Sequence, residues 1–360
     1  MKYGKIIFFF PLFNRGGLEE VAKILIKFFL KKNISIELIT YDKKKIGISH
    51  KKLRIFDQKK KQGNARNFSK ILSCSNILKD RLKKNNSNDT IVLSLQNSII
   101  AILYSKIYHY KIIVKNANPI KALFLSGNKF QNFLVFIAKV LAYNFADFII
   151  VNSEYNKTTI SNFIINNHRV IKIYNPIDLV KFKKKNKKKN YVLYVGRVVE
   201  EKGLSTLINA FSKISIKSYK LLIVGDGDYM EKLRILISSK GLKKRVITTG
   251  WVRNPGKYFL KSKIFVLPTQ FDAFGNVLVE AMHYNLITIA TKNTGGPDEI
   301  LQNEKYGIQF QKNNVNELKK KIEFCINNEK TIQSKISLAK KSLSRFSKSK
   351  SLEKYLSLVK

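Results

Sequence analysis

The sequence predicts an α/β protein of two domains, each an open, doubly wound parallel sheet with helices on both faces. Three observations predict it. Short β-branched or aromatic runs alternate with longer stretches of helical period throughout the chain, the pattern of parallel strands joined by crossover helices. The alternation breaks once, at Phe182-Lys183-Lys184-Lys185-Asn186-Lys187-Lys188-Lys189-Asn190, a run too polar to pack a core. The 360 residues suffice for two cores of ordinary size.

In the first half, apolar runs predict strands over 5–10, 34–40, 53–56, 90–95, 111–115 and 148–152. Between the first two, Leu18-Glu19-Glu20-Val21-Ala22-Lys23-Ile24-Leu25 and the residues that follow repeat apolar side chains at helical period. The segment 121–145 carries Phe124, Phe130, Phe133, Phe136 and Tyr143 among Lys121, Lys129 and Lys139. It reads first as a core helix with a solvated basic edge, and second as a helix lying in a membrane interface. In the second half the strand signal returns over 191–195, 220–224, 246–248, 264–267 and 286–290. Asn285, just before the last of these, suits the left-handed position that ends a helix. The expected domains are 1–178 and 191–360, joined by an exposed basic linker over 179–190. The last helix, about 340–360, is a candidate to pack back on the first domain. Two such domains face a central cleft between their sheet ends, where open α/β folds bind ligands.

Hydrophobic content of 44% fits a globular protein, whereas a formal charge of +44 points toward an anionic partner, nucleic acid or a membrane surface. A compositional reading competes, because Lys, Asn, Ile, Phe and Tyr share AT-rich codons and the lysines are spread over every segment. No spacing of basic and aromatic residues matches a nucleic-acid motif, so a specific nucleic-acid partner is not expected. Cys74 and Cys325 lie in different halves and give no disulfide framework or cysteine-based zinc site, which suits a reducing cytosol. The apolar run 6–11 is short and lacks a small-residue cleavage site, as a first strand would. Nowhere do about 18 apolar residues run uninterrupted, so no spanning helix is expected. The expected place is cytoplasmic, with peripheral contact to an anionic membrane face as the further option.

Four clusters carry candidate chemistry. Asn14-Arg15-Gly16-Gly17-Leu18-Glu19 lies between the first strand and first helix, where paired glycines let backbone approach a ligand. Strand 191–195 delivers Gly196 and Arg197 to the sheet's C-terminal edge, with Lys202-Gly203 just before a helix. A guanidinium fork and an ammonium point charge at such an edge can neutralise a diphosphate. Val224-Gly225-Asp226-Gly227-Asp228 holds an Asp-x-Asp pattern that reads as a helix-capping turn rather than a metal pair, with its glycines shaping a pocket wall. Finally, Asp272 and Glu280 bracket Phe274-Gly275-Asn276-Val277, a strand–glycine–helix step whose free amides favour an anion. Carboxylates at both ends of an anion site suit a ligand bearing phosphate and sugar hydroxyls, a nucleotide sugar. Thr294-Gly295-Gly296-Pro297-Asp298-Glu299-Ile300 follows.

At these residues the chain resembles the retaining glycosyltransferases of family 4, also called group 1, which have the GT-B fold. Gly196-Arg197-x4-Lys202-Gly203 resembles the family's diphosphate-binding motif, and Asp272-x-Phe274-Gly275-x4-Glu280 its paired-acid motif. Gly295-Gly296-Pro297-x-Glu299-Ile300 resembles its downstream signature, Ile173-Tyr174-Asn175-Pro176-Ile177-Asp178 the close of its first domain, and Gly16-Gly17-x-Glu19 its N-terminal donor loop. The resemblance implies that Arg197 and Lys202 hold the donor diphosphate, Glu280 bonds the ribose, Asp272 faces the transferred sugar, and amides near Gly275 and Asn276 cradle phosphate. It also implies that no metal or other cofactor is required, the two cations supplying the charge.

Two departures stand out. The first acid is an Asp where the family usually has Glu, and the strand end Val114-Lys115-Asn116-Ala117-Asn118-Pro119 lacks the family's first-domain histidine. Asn116 and Asn118 are the candidates there, and Gly225, Arg253 and Val277 complete the substrate-binding set. The reading is transfer of a sugar from a nucleoside-diphosphate sugar to a glycan or lipid-linked acceptor in cell-surface polysaccharide assembly. A soluble-acceptor transferase of the same fold and a basic nucleic-acid-binding protein are the alternatives.

Overall fold

A computed structural model describes residues 3–13, 16–43, 46–57, 67–117, 128–179 and 188–360, the side chain of residue 329 excepted. Its contacts divide into two units: Met1–Pro176 with Lys348–Lys360, and Ile177–Ser347.

The strands of the first unit are β1 (Lys5–Phe9), β2 (Ser35–Ile39), β3 (Leu53–Phe56), β4 (Thr90–Ser94), β5 (Ile112–Asn116), β6 (Phe148–Val151) and β7 (Val170–Lys172). Its helices are α1 (Gly17–Lys31), α2 (Asn67–Lys84), α3 (Ser98–Ile107), α4 (Lys129–Tyr143) and α5 (Glu154–Ser161). The strands form one parallel sheet in the order β3-β2-β1-β4-β5-β6-β7. Strand β1 shows why both faces are covered. Its side chains alternate sides, so Ile6 and Phe8 join Val21, Leu25 and Phe29 of α1 in one core. Ile7 and Phe9 join Leu78 of α2 and Ile102 of α3 in the other. A strand buried on both faces reads as an unbroken apolar run, as Ile6-Ile7-Phe8-Phe9 does.

The second unit contains β8 (Tyr191–Val195), β9 (Lys220–Val224), β10 (Val246–Thr248), β11 (Ile264–Leu267), β12 (Ile287–Thr291) and β13 (Ile308–Phe310). Its helices are α6 (Leu204–Ser212), α7 (Met230–Ser239), α8 (Gly256–Lys261), α9 (Asn276–His283), α10 (Gly296–Leu301), α11 (Val315–Asn327) and α12 (Glu329–Lys341). The sheet is parallel, in the order β10-β9-β8-β11-β12-β13. The last helix, α13 (Lys348–Ser357), belongs to the first unit, where Leu352, Tyr355 and Leu356 enter the core built on α1.

Several boundaries differ from the sequence expectation. The three-residue strands β7 and β13 have no counterpart in it, since each is an edge strand too short for a periodic signal. The units part after Pro176 rather than after residue 178. Of the linker expected over 179–190, residues 180–187 lie outside the described residues. Lys188 is not an exposed linker residue: its ammonium donates to the carbonyls of Ser262, Tyr284 and Asn285 in the second unit. Burial and the charges of Lys340 and Lys263 press that ammonium down to a pKa of about 8.

Helix α4 also departs from the first reading of its segment, of which 121–127 lie outside the described residues. A core helix buries its apolar side chains, yet only Ala142 and Tyr143 of α4 are buried. Asn285 has a φ of 58° where α9 ends, and the next amide, Leu286 N, donates to Ala281 O, as the sequence led us to expect. Among the described residues, no helix is long and apolar enough to cross a membrane.

Candidate functional site

In the second sheet the strand order reverses between β8 and β11, the place where open α/β sheets leave a crevice at their C-terminal edge. The turn after β8 and the turn after β11 meet there. The first runs through Gly196 and Arg197 to a single 3-10 turn, Glu200–Lys202, before α6. Glu201 O accepts from Gln270 N at 2.8 Å and from Thr269 Oγ1 at 3.3 Å, which ties this turn to the chain leaving β11. Gly203 makes the approach possible. It has φ +66°, and a Cβ there would lie 2.0 Å from the Pro268 carbonyl oxygen. Only glycine satisfies both conditions.

The consequence is an ion pair between two of the candidate residues. Lys202 Nζ donates to Asp272 Oδ2 at 2.7 Å, with the side chains 14% and 21% exposed. The other carboxylate oxygen of Asp272 accepts Phe274 N at 3.2 Å. Its main chain is bound on both sides, donating to Thr294 O and accepting from Gly296 N, each at 3.0 Å. Asp272 is therefore fixed before any ligand arrives. Gly275, at φ 90°, turns the chain into α9, whose N-terminus at Asn276 and Val277 has no side-chain cap. Glu280 lies on α9, half-buried, and no donor to its carboxylate is found among the described residues. Removal from water pushes its carboxyl up from 4.5 to about 7.

Arg197 is exposed by 63%, and its guanidinium lies 3.5 Å from Glu201, so it reaches solvent on a loose tether. Gly225 after β9 abuts the turn after β8, since a Cβ there would meet Gly196 O at 1.8 Å. The Asp-x-Asp turn does not cap α7. The N-cap residue is Tyr229, and the Asp226 carboxylate accepts Gly227 N instead. Arg253 is exposed between β10 and α8. Among the described residues, no group of three or more His, Cys, Asp or Glu could hold a metal ion.

Asp298 had no separate role in the sequence reading. Its carboxylate accepts Asn293, Thr294 and Gly295 amides at 2.8–3.0 Å and the Gln309 amide at 2.7 Å. It thereby holds the Gly295-Gly296 turn that pairs with Asp272. An acid at the third position of a helix opened by Gly-Gly-Pro is the signal that could have found it.

In the first unit, Gly16 is extended at the N-cap of α1 and Gly17 opens the helix, with Glu19 buried beneath. Asn116 ends β5 and is 2% exposed. Its Oδ1 accepts Lys139 Nζ of α4 at 2.7 Å, while its Nδ2 meets no acceptor among the described residues. Burial brings the Lys139 ammonium down to about 8. The preceding residue, Lys115, is also 2% exposed and donates to Tyr355 Oη at 2.9 Å. Burial lowers it to about 7. Asn118, Asn14 and Arg15 lie outside the described residues.

Residues 177–342 match the family model described as glycosyl transferases group 1. The chain carries a group 1 glycosyltransferase domain. Among curated relatives, it is 27% identical over 245 residues to the N-acetylgalactosamine-N,N'-diacetylbacillosaminyl-diphospho-undecaprenol 4-alpha-N-acetylgalactosaminyltransferase of Campylobacter jejuni, covering 66% of this chain and 67% of that protein. It is 23% identical to the amylovoran biosynthesis glycosyltransferase AmsD of Erwinia amylovora over 87% of this chain and 88% of that one. The crystal structure of HepE from Anabaena with UDP and glucose superposes with a TM-score of 0.82 and 18% identity over 99% of both chains. At that identity the likeness is one of fold. The two parallel-sheet units are those of the GT-B architecture.

Proposed function

We propose that the chain transfers a sugar, with retention of anomeric configuration, from a nucleoside-diphosphate sugar to a glycan or lipid-linked acceptor in cell-surface polysaccharide assembly. The single observation that carries the donor half is the Lys202–Asp272 pair set beside the uncapped start of α9 at the strand-order reversal. In this reading the α9 amides receive phosphate, and Lys202 and Arg197 stabilise the diphosphate as it leaves. Preorganised charge of this kind usually supplies the largest catalytic term. Ionised Glu280 receives the ribose hydroxyls that its empty acceptor atoms await. Asp272, bound through both oxygens, orients Lys202 and borders the transferred sugar. The leaving phosphate takes the acceptor's proton on the same sugar face, and no metal is assigned a part.

The acceptor half is supported by the relatives. One acts on an undecaprenol-diphosphate-linked sugar by its name, and another serves amylovoran biosynthesis. The bound UDP of the superposed structure supports a uridine donor. A thermal-shift panel of UDP- and GDP-sugars tests the donor reading, since a ligand that binds only the folded state raises Tm. One nucleotide sugar is expected to raise Tm with EDTA present. No response across the panel, or a response that requires a divalent metal, would overturn the metal-free donor site.

A further inference from the structure

Helix α9 has no side-chain cap at its start, but its far end is held by cations. Its last carbonyl, His283 O, accepts Lys340 Nζ of α12 at 3.3 Å. The carbonyls of Tyr284 and Asn285, in the turn that closes the helix, accept a single ammonium, Lys188 Nζ, at 3.1 and 2.7 Å. The same ammonium donates to Ser262 O, where α8 ends, at 2.9 Å. An ammonium has three N–H donors, so all three of Lys188 are engaged by backbone carbonyls.

The local chain explains how a lysine from the basic run before β8 comes to lie there. Lys189 N donates to Lys261 O at 2.8 Å, which draws residues 188 and 189 alongside the end of α8. The side chain of Lys189 itself is exposed. Tyr284 stacks on Phe259 of α8, with ring centroids 5.2 Å and planes 10° apart, so the two helix ends already meet where Lys188 enters. A buried cation is costly unless its donors are filled, and here carbonyls fill them. Lys257, Tyr258 and Lys261 of α8 and Glu280 and His283 of α9 are the other titratable groups on these helices, and none of them bonds the ammonium.

The place of the charge matters for the other end of α9. A helix carries about half a positive charge at its start and about half a negative charge at its end. The 8 residues of α9 span only about 12 Å, so the negative end opposes an anion bound at the start. Lys188 sits on that negative end and offsets it. Unit charges about 12 Å apart, at an effective dielectric constant near 20, attract by roughly a factor of ten in a binding constant.

We infer that Lys188 is a positioning residue for the donor site: it pins the end of α9 to the end of α8, and its charge favours phosphate at the start of the same helix. It acts through α9 and not by contact with the donor. The inference rests on the nucleotide-sugar reading and adds to it a residue from outside the motifs.

Calorimetric titration of the full chain with UDP and with GDP tests it, in the parent, Lys188→Met and Lys189→Met, at pH 7 and pH 9. At pH 7, Lys188→Met with unchanged circular dichroism is expected to bind the preferred nucleotide about tenfold more weakly than the parent. Lys189→Met removes an exposed ammonium one residue away and is expected to bind like the parent. Burial and the charges of Lys340 and Lys263 lower the Lys188 ammonium to about 8, and only its charged form favours the anion. The parent's advantage over Lys188→Met should therefore shrink to about twofold at pH 9, whereas a purely structural loss would be equal at both pH values. If Lys188→Met fails to fold, Lys340→Met on the exposed side of α12 carries the test. Removing that neighbouring charge raises the Lys188 ammonium, so the fall in affinity between pH 7 and pH 9 should move to higher pH. Equal binding by parent and Lys188→Met at pH 7, an advantage that ignores pH, or an unmoved fall in Lys340→Met overturns the inference and leaves the donor reading standing. A parent that binds neither nucleotide overturns both.

Discussion

At the C-terminal edge of the second sheet, charge sits partly open on turns shaped by glycine, whereas at the same edge of the first sheet it lies under the surface. Lys202 and Asp272 keep 14% and 21% of their side chains in solvent, and Glu280 has no donor among the described residues. Lys115 and Asn116, by contrast, are 2% exposed and tied to Tyr355 and Lys139. The difference teaches that one edge leaves its charge open, as the proposed donor site needs, while the other uses its polar side chains to hold its own helices in place. Lys115 links the sheet to α13, and Asn116 links it to α4.

The comparison breaks most completely if the glycine-shaped edge tolerates a side chain. Gly203→Ala meets both a left-handed backbone and a carbonyl contact, and is expected to cost at least about 2 kcal/mol. Displacing the Lys202 turn by even an ångström can lower turnover on the order of 100-fold. Denaturant melts and steady-state rates measure both, and a fully active, fully stable variant would mean that the turn is not held as described.

Next in size is Lys202→Ala, expected to lower turnover by more than about tenfold, or about 1.4 kcal/mol. Unchanged kcat would remove Lys202 from the leaving-group site. Asp272→Asn, which weakens the hold on that ammonium, should move turnover in the same direction.

Glu280→Gln is expected to weaken donor binding by roughly 1–3 kcal/mol. The carboxyl lies near 7 in the folded protein against an ordinary 4.5. Its protonated form is thus favoured by folding, and this contribution to stability is lost as pH rises from 4.5 to 7. Donor hydroxyls call for the ionised form, so affinity should rise between pH 6 and pH 8. Calorimetric titration of the donor across that range should show the rise in the parent and a flat line in Glu280→Gln. A flat parent profile would count against the ribose assignment.

The smallest expected effect lies at the buried edge. The Lys115 ammonium is held near 7 against an ordinary 10.5, so unfolding takes up a proton between those values and stability rises with pH across that window. From pH 6 to pH 8 the gain is roughly 1–1.5 kcal/mol. Urea melts at the two pH values should lose that increment in Lys115→Met. An equal gain in the variant would place the titration elsewhere.

The same contrast governs what could be read in advance. Glycines, a cation and acids at fixed short spacings reveal the second edge, because turns that pack backbone against backbone, as Gly203 does on Pro268 and Gly225 on Gly196, need small residues in local order. The strands 191–195, 220–224, 246–248 and 264–267 stand where their apolar runs placed them. The first edge gave no such signal. Asn116 was singled out because it stands at the strand end where the resemblance leads one to expect a histidine, but its partner lies 23 residues away, and that of Lys115 lies 240 away. Pairings of that reach leave no periodic trace. For the same reason the Lys202–Asp272 contact, 70 residues apart, was hidden although both residues were named. The exposed face of α4 was misjudged because period shows which side chains share a face, and nothing in it shows whether that face is covered.

The membership of α13 in the first core sets an order of events during synthesis. The chain begins the first unit, completes the whole of Ile177–Ser347, and only then supplies Lys348–Lys360. Until those residues leave the ribosome, the places of Leu352, Tyr355, Leu356 and Val359 in that core stand empty, and Lys115 lacks the hydroxyl it donates to. The unit started first is therefore finished last. A chain shortened by its final thirteen residues is a core deletion, and a fragment ending at Pro176 is an unfinished domain.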